Sequence, residues 1–161
     1  MQDMGVELVN DMSEVTAYLN ASLRILRQEI VRALSYLGEQ CVTKVRDRSG
    51  EDSWFDQTGN LRSSVGYAVY ERGKKEIESA FKVVSQGNEG SSEGRKMIDE
   101  LASLYSNTYA LVVVAAMNYA EYVEAMDNKD VLASAELFAA SKINEYLTKA
   151  LKRAEKKIAD L

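Results

Sequence analysis

The chain has 161 residues, 46% of them hydrophobic, and a formal net charge of −5 at pH 7. Its length and composition predict a single folded domain over residues 1–161, and the acidic balance disfavours proteins that wrap duplex DNA or lie on anionic lipid. Histidine, the commonest general base and metal ligand, is absent, and the lone Cys41 can form neither an internal disulfide nor a cysteine zinc site. We therefore expect no cofactor, no metal ion, no membrane partner and no specific nucleic acid partner.

The first 48 residues predict a long amphipathic helix. Apolar residues recur at spacings of three and four from Leu8 to Val45, which is the period of one helix face. Cys41 falls on that face, where we expect a buried, unreactive thiol. Asn20-Ala21-Ser22 competes with the backbone for hydrogen bonds, so the segment is either one helix or two in line with a break near residue 20. A helix this long is unusual for a compact domain, so part of the face should contact another chain; the alternative is that it packs only on its own subunit.

The middle of the chain predicts a hairpin, a loop and a short helix. Apolar and polar residues alternate on both sides of Arg72-Gly73 over residues 64–84, which indicates two half-exposed strands. Ser85–Gly94 contains three glycines and no large apolar residue, so we expect a flexible loop that becomes ordered only on assembly. The next stretch, RKMIDELASLY, has the apolar spacing of a short helix.

The last part of the chain predicts two strands and a second long helix. YALVVVAAM, Tyr109–Met117, is apolar on both faces and is expected to be a central strand, and Tyr119–Met126 is the expected last strand. From Ser134 an amphipathic pattern continues nearly to the C-terminus. The element order predicts an α+β fold with an antiparallel sheet of about four strands, packed with a long N-terminal helix, a short middle helix and a long C-terminal helix.

Residue patterns for nucleotide binding and catalysis are weak. The stretch GNEGSSEGRK lacks the Gly-Lys-Ser/Thr that ends a P-loop, and no serine or cysteine can be given a histidine base. Glu121 and Glu124 could form a carboxylate pair, but a role in an interface is the favoured interpretation for them. We therefore expect a protein that is not an enzyme.

A distinctive segment, DQTGNLRSSVGY, follows the first helix. Thr58 can accept a hydrogen bond from an amide near Leu61 and so cap one helical turn, and Gly59-Asn60 tolerates the tight entry. Leu61 should point inward and Arg62 outward, and a strand should begin near Ser64. These residues predict a turn that anchors a strand and displays one arginine, whose role we expect in an interface or a fixed turn network and not in catalysis.

The segment TGNLRSSVGY, followed by YALVVVAAMNYAEYVEAM, resembles the minor tail-component family of long-tailed bacteriophages, the neck or tail-completion proteins at the head–tail junction. The residues that match the two family motifs are Thr58, Gly59, Leu61, Arg62, Ser64 and Val65 in the first and Tyr119, Ala120, Val123 and Glu124 in the second. The resemblance implies a non-enzymatic structural protein that is assembled in the bacterial host cytoplasm and resides in the virion of a phage or prophage. It implies tail completion or head–tail joining through contacts with itself, in a ring, and with other phage tail or connector proteins.

For the ring contact, the start of the first helix is expected to meet the strand Tyr119–Met126 of a neighbour, which carries Tyr122 and Glu124. A hypothesis from another class remains open: an acidic regulatory binding module that sequesters a host protein through its long helix. A carboxylate-dependent hydrolase using Glu121 and Glu124 is the third and least favoured hypothesis.

Overall fold

A computed structural model gives the structure of residues 12–47, 56–118, 120 and 131–161. The helices within these residues are α1 (Met12–Arg46), α2 (Asn60–Ser63), α3 (Asn88–Leu101) and α4 (Ala133–Ala159). The strands are β1 (Val65–Glu71), β2 (Lys74–Glu78) and β3 (Tyr109–Ala115), and a 3-10 turn over Ala102–Tyr105 follows α3.

The described elements form three layers, with the sheet in the middle. Side chains on one face of β1, namely Val65, Tyr67 and Val69, join the core formed with α1 and α4. The alternate side chains, Ala68 and Tyr70, join the core formed with α3. This division confirms the predicted α+β class, with the long first and last helices on the same face of the sheet.

The sheet is antiparallel, and its described strands have the order β2-β1-β3. Pairing between β1 and β3 runs from Val65 with Ala115 to Glu71 with Tyr109. Among the described strands YALVVVAAM forms β3, beside β1, and its side chains join the cores on both faces of the sheet, as expected for a strand covered on both sides. A central position for it in the whole sheet stays a prediction. The central one of the described strands is β1, and all of its residues before Glu71 are buried because it packs on both faces. The described residues contain three strands, where about four were expected.

The predicted fourth strand, Tyr119–Met126, lies outside the described residues except for Ala120. The Ala120 amide donates to the Met117 carbonyl at 2.9 Å, and Ala120 is buried. At this residue the chain is helical and not extended, so the predicted strand is wrong there, and a strand over the rest of the segment stays a prediction.

The second strand of the predicted hairpin is shorter than expected. Arg72-Gly73 forms the turn, but pairing with β1 ends at Glu78. The chain then leaves the sheet, and Phe81, with a φ of 43°, buries its ring in the core against α3. The alternating pattern up to Val84 therefore belongs to an irregular segment with one buried anchor and not to a continuous strand.

The first helix is continuous over Met12–Arg46, which confirms one of the two alternatives left open by the sequence, a single helix, over two helices with a break near residue 20. The Ser22 hydroxyl donates to the Tyr18 carbonyl and the Thr16 hydroxyl to the Met12 carbonyl, each at 2.8 Å. Because these hydroxyls bond to carbonyls of their own helix, they do not draw the backbone out of it. The predicted start of the helix before Met12 and its Ser49-Gly50 stop lie outside the described residues.

The predicted flexible loop Ser85–Gly94 is wrong from its fourth residue onward, where α3 begins. A Cβ built on Gly90 would lie 1.9 Å from the Asn60 carbonyl oxygen, and one built on Gly94 would lie 2.3 Å from the Phe81 ring. The glycines therefore let α3 approach its neighbours closely, and the Gly/Ser-rich composition marks tight packing in place of flexibility.

The last helix, α4, runs antiparallel to α1, and it confirms the long helix predicted from Ser134. At one end of the pair the Cys41 thiol donates to the Ala135 carbonyl at 3.7 Å. At the other end Glu29 accepts hydrogen bonds from Arg153 and Lys157, each at 2.7 Å. Cys41 is fully buried, as expected, and burial raises the pKa of its thiol.

Candidate functional site

The motif DQTGNLRSS folds into a junction around α2, a single helical turn between α1 and β1. Both carboxylate oxygens of Asp56 accept backbone hydrogen bonds there, from the Gly59 amide at 3.0 Å and from the Arg62 amide at 2.8 Å. Thr58 accepts one bond, from the Asn60 amide at 3.3 Å, as predicted for an amide near Leu61. The stronger cap is nevertheless Asp56, which provides acceptors for amides that a helix start leaves without partners.

The two capping residues are expected to differ in their contribution to stability. Asp56→Ala removes two backbone acceptors and should lower the free energy of unfolding by about 1–2 kcal/mol. Thr58→Ala removes one longer, exposed hydrogen bond and should change it by less than about 0.5 kcal/mol. Urea unfolding followed by circular dichroism measures both values. Equal losses for the two variants would contradict the assignment of Asp56 as the principal cap.

Two buried serines hold the junction to other parts of the chain. The Ser64 hydroxyl donates to the Leu61 carbonyl at 2.8 Å and accepts from the Ala116 amide, just beyond β3, at 3.1 Å. The Ser63 hydroxyl accepts from the Val84 amide at 2.8 Å. Leu61 points inward, as predicted, and is 2% exposed. The hydroxyls therefore satisfy backbone groups that the irregular chain would otherwise bury without partners.

A third set of contacts joins α2 to the start of α3. The Asn60 side chain accepts from the Gly90 amide at 3.2 Å and donates to the Glu89 carboxylate at 3.1 Å. Gly59, with a φ of 80°, lies so close to the segment after β2 that an added Cβ would be 2.0 Å from the Val84 carbonyl oxygen. Both the backbone conformation and the lack of space therefore require glycine at this position.

The arginine of the motif belongs to the same network. Arg62 is half-buried, and its Nη1 donates to the Arg46 carbonyl at the end of α1, while the Arg46 guanidinium donates to the Lys82 carbonyl. A cation at this place complements the negative end of the α1 dipole. These contacts fit the fixed turn network expected for Arg62, whereas its role in an interface stays a prediction.

The structure brings together only part of the predicted site. Thr58, Gly59, Leu61, Arg62 and Ser64 all lie in the junction, which links α1, α3 and the segments after β2 and β3.

The second motif is not placed by the structure. Tyr119, Tyr122 and Glu124 lie outside the described residues, so their relation to the junction stays a prediction. Sequence reasoning missed Asp56, Asn60 and Ser63. Asp56 could have been found from the sequence, because an aspartate just ahead of a helical turn is a common cap. The contact between Asn60 and Gly90 could not, because the two residues are about 30 apart in the chain and no local pattern links them.

The first part of α1 is an uncovered helix with exposed apolar side chains. Every residue from 12 to 20 is exposed, and the first buried residue of the helix is Glu29. We call residues 12–23 the overhang, and we call its apolar face, formed by Met12, Val15, Leu19 and Leu23, the overhang stripe. At 3.6 residues per turn this stripe continues the face that carries Leu34, Leu37 and Cys41 in the core.

The overhang is uncovered because its neighbours end before it. The last helix stops at Ala159, two residues beyond Lys157, which binds Glu29. A strand of seven residues spans about 23 Å, whereas a helix of 35 residues spans about 52 Å. The helix is therefore longer than the sheet on which it packs, and the α1 face that is buried from Glu29 onward faces solvent in the overhang.

A groove of about 750 Å3 lies between α1 and β2. On its wall the Ser35 hydroxyl lies 2.8 Å from the Tyr67 hydroxyl, which donates to Glu39 at 3.0 Å. Burial raises the pKa of Tyr67, so its phenol keeps its proton and gives Ser35 no base. This chain of hydrogen bonds therefore fits a structural role better than a nucleophilic one.

The described residues contain no group of three or more acidic or cysteine side chains placed to hold a metal ion. In the same ranges, no helix is both long enough and apolar enough to cross a bilayer.

The chain matches no family model, no curated protein and no solved structure. The resemblance to phage minor tail components therefore depends on the motif residues alone. Of these, the first group folds into the junction, and the second lies almost wholly outside the described residues.

Proposed function

We propose that this chain is a structural virion protein of a tailed bacteriophage or prophage, which acts in tail completion or head–tail joining through contacts between identical copies. The observation that carries the proposal is the overhang stripe, which continues the core face of α1 into solvent. Exposed apolar surface is disfavoured by roughly 25 cal/mol per Å2, so a contiguous stripe of this kind indicates a surface that another molecule covers.

The junction supports the same proposal. Its side chains are used to hold α1, α3 and the sheet together, and the contacts described for it go to backbone groups or to the Glu89 side chain. A motif used in this way fixes the orientation of α1, and hence of the overhang, relative to the rest of the subunit. In this proposal the protein has no catalytic role, is assembled in the host cytoplasm, and also contacts other tail or connector proteins.

Electron microscopy of particles from a phage that lacks this gene tests the proposal directly. The expected result is free heads and unjoined tails, with joined particles restored by the gene supplied in trans. Normal virions would contradict a role at the head–tail junction. They would favour the regulatory binding module, whose test is capture of a host protein that loses binding when the overhang is changed.

A further inference from the structure

We propose that the groove between α1 and α4 binds single-stranded nucleic acid through its phosphates and base faces, without reading its sequence. The inference goes beyond the proposed function, because it adds a partner of another chemical class. The groove measures about 400 Å3, and in it Arg32 and Tyr36 of α1 meet Tyr146, Lys149 and Arg153 of α4. We call this site the basic groove.

Cations are aligned along the α4 side of the basic groove. Lys142, Lys149 and Lys156 are seven residues apart, which is close to two helical turns, so they lie on one flank of α4 at intervals of about 10.5 Å. Arg153 lies on the same flank, one turn beyond Lys149, and Arg32 lines the opposite wall. Positive charge repeated over about 21 Å fits a polyanion with regularly spaced charges better than a single small anion.

Two carboxylates offset only part of this charge. Glu145 binds two of the lysines, and the buried Glu29 binds Arg153. Arg32 and Lys156 have no ion-pair partner within the part of the chain that the structure describes. The net charge of −5 is an average over the whole chain, and the basic groove is a local excess of positive charge within it.

An aromatic pair favours nucleic acid over other polyanions. The rings of Tyr36 and Tyr146 line the basic groove, with their centroids 5.6 Å apart and their planes inclined at 42°. Tyr36 is 58% exposed, so a flat base has access to its ring. Exposed aromatic rings in a basic groove are typical of proteins that bind single strands, because the bases stack while the phosphates contact the cations. An acidic peptide or a lipid headgroup provides the charge without the stacked bases.

Fluorescence anisotropy of labelled oligo(dT) and oligo(U), each about 20 nucleotides long, measures binding to the full chain. Both strands should bind, because neither phosphate contacts nor stacking depends on the 2′-hydroxyl. We expect a dissociation constant of about 1–100 µM at about 50 mM salt, and a slope of about −3 for its logarithmic dependence on salt, since four or five phosphates are neutralised. Binding that is absent at about 1 mM protein, or that does not respond to salt, would overturn the proposal.

Arg32→Ala and Lys156→Ala test the phosphate contacts. Both side chains are exposed and neither binds Glu29, so the fold should be preserved, which circular dichroism checks. Each variant should weaken binding about five- to tenfold at about 50 mM salt and should reduce the salt slope by about 0.7. Lys96→Ala is the matched control, because Lys96 is an exposed cation on α3, across the sheet from the basic groove. A loss as large in the control would assign the binding to the general surface and overturn the proposal.

Tyr36→Ala and Tyr36→Phe test the stacking. The alanine variant should weaken binding about tenfold with an unchanged salt slope, whereas the phenylalanine variant keeps the ring and should bind like the wild type. Polyglutamate and phosphatidylserine vesicles are the competitors for the bound strand. If either displaced it as well as an unlabelled strand of equal charge, or if Tyr36→Ala bound like the wild type, the surface would belong to an acidic protein or a membrane and the proposal would be wrong.

The outcomes separate this inference from the proposed function. Binding of the strands is measured on the isolated chain, whereas head–tail joining is measured on particles that lack the gene. If the chain binds no strand but unjoined heads and tails are still seen without the gene, only the basic groove has been misassigned. If the chain binds both strands as expected and virions without the gene are normal, the basic groove stands and the structural role is wrong.

Discussion

Gly59→Ala is expected to lower the free energy of unfolding by about 3–4 kcal/mol, from two costs of comparable size. The first is the left-handed backbone, since Gly59 has a φ of 80°. The second is a clash, because the new Cβ would lie 2.0 Å from the Val84 carbonyl oxygen, a backbone atom that cannot move without disturbing the junction. Urea unfolding at neutral pH measures the sum of the two costs.

Gly73→Ala separates these two costs. Gly73 has nearly the same φ, 79°, but a Cβ there would have its nearest neighbour at 3.5 Å, an ordinary contact. It should therefore show the backbone cost alone, about 1–2 kcal/mol. If Gly59→Ala proved no more destabilising than Gly73→Ala, the close approach of the junction to Val84 would be wrong.

Loss of the partners of the buried carboxylate between α1 and α4 should lower the free energy of unfolding about as much as Gly59→Ala. Glu29 is 2% exposed, whereas the Arg153 and Lys157 side chains that bind it are about half exposed. Arg153→Ala with Lys157→Ala leaves the carboxylate buried without a partner and should cost about 3–5 kcal/mol at pH 7. Glu29→Gln should cost less, because it removes the charge while the two cations can turn into solvent. Chemical unfolding of the two variants measures the difference.

The Glu29 carboxylate predicts opposite pH dependence of stability in the wild type and in the Arg153→Ala/Lys157→Ala variant. The hydrogen bonds from Arg153 and Lys157 hold the pKa of Glu29 below its ordinary value. Its contribution in the wild type is therefore complete above the unfolded-state pKa, about 4.3, and is lost as the pH falls through the lower folded-state value. Without the two cations, burial instead raises the folded-state pKa, so the double variant should recover stability as the pH falls.

An exposed carboxylate on α4, Glu145, provides the matched control. Glu145 also contacts two cations, Lys142 at 3.3 Å and Lys149 at 2.6 Å, but it lies on the solvent side of α4. Lys142→Ala with Lys149→Ala should change stability little at any pH, because water replaces the lost partners. A loss as large as that of the Arg153/Lys157 variant would show that burial of Glu29 is not the cause.

The elements that a local pattern encodes were predicted well. The apolar period of α1 and α4 and the turn at Arg72-Gly73 depend on residues close together in the chain, and all are present in the structure. The buried position of Cys41 followed from the same period.

The errors arose where a distant residue decides the outcome. A Gly/Ser-rich stretch has the composition of a loop, and only the proximity of Asn60 and Phe81 shows why Gly90 and Gly94 belong to a packed helix. The order of the described strands likewise depends on pairing between distant segments, β1 with β2 and β1 with β3, which the apolar pattern of each strand does not encode. In the junction, Thr58 and Asp56 were equally available as caps, and the bend of the chain brings Asp56 to both amides.

The continuity of α1 has a consequence for how the overhang is ordered. Starting a helix is the unfavourable step, because the first turn fixes several residues for one hydrogen bond, whereas each further residue adds a bond. A peptide of residues 12–23 alone would be a marginal helix in water. In the chain this segment is joined to the packed part of α1, so its helix extends from turns that are already formed and needs no new nucleation. A partner therefore meets a surface that is largely preorganised, and association requires little further loss of conformational entropy.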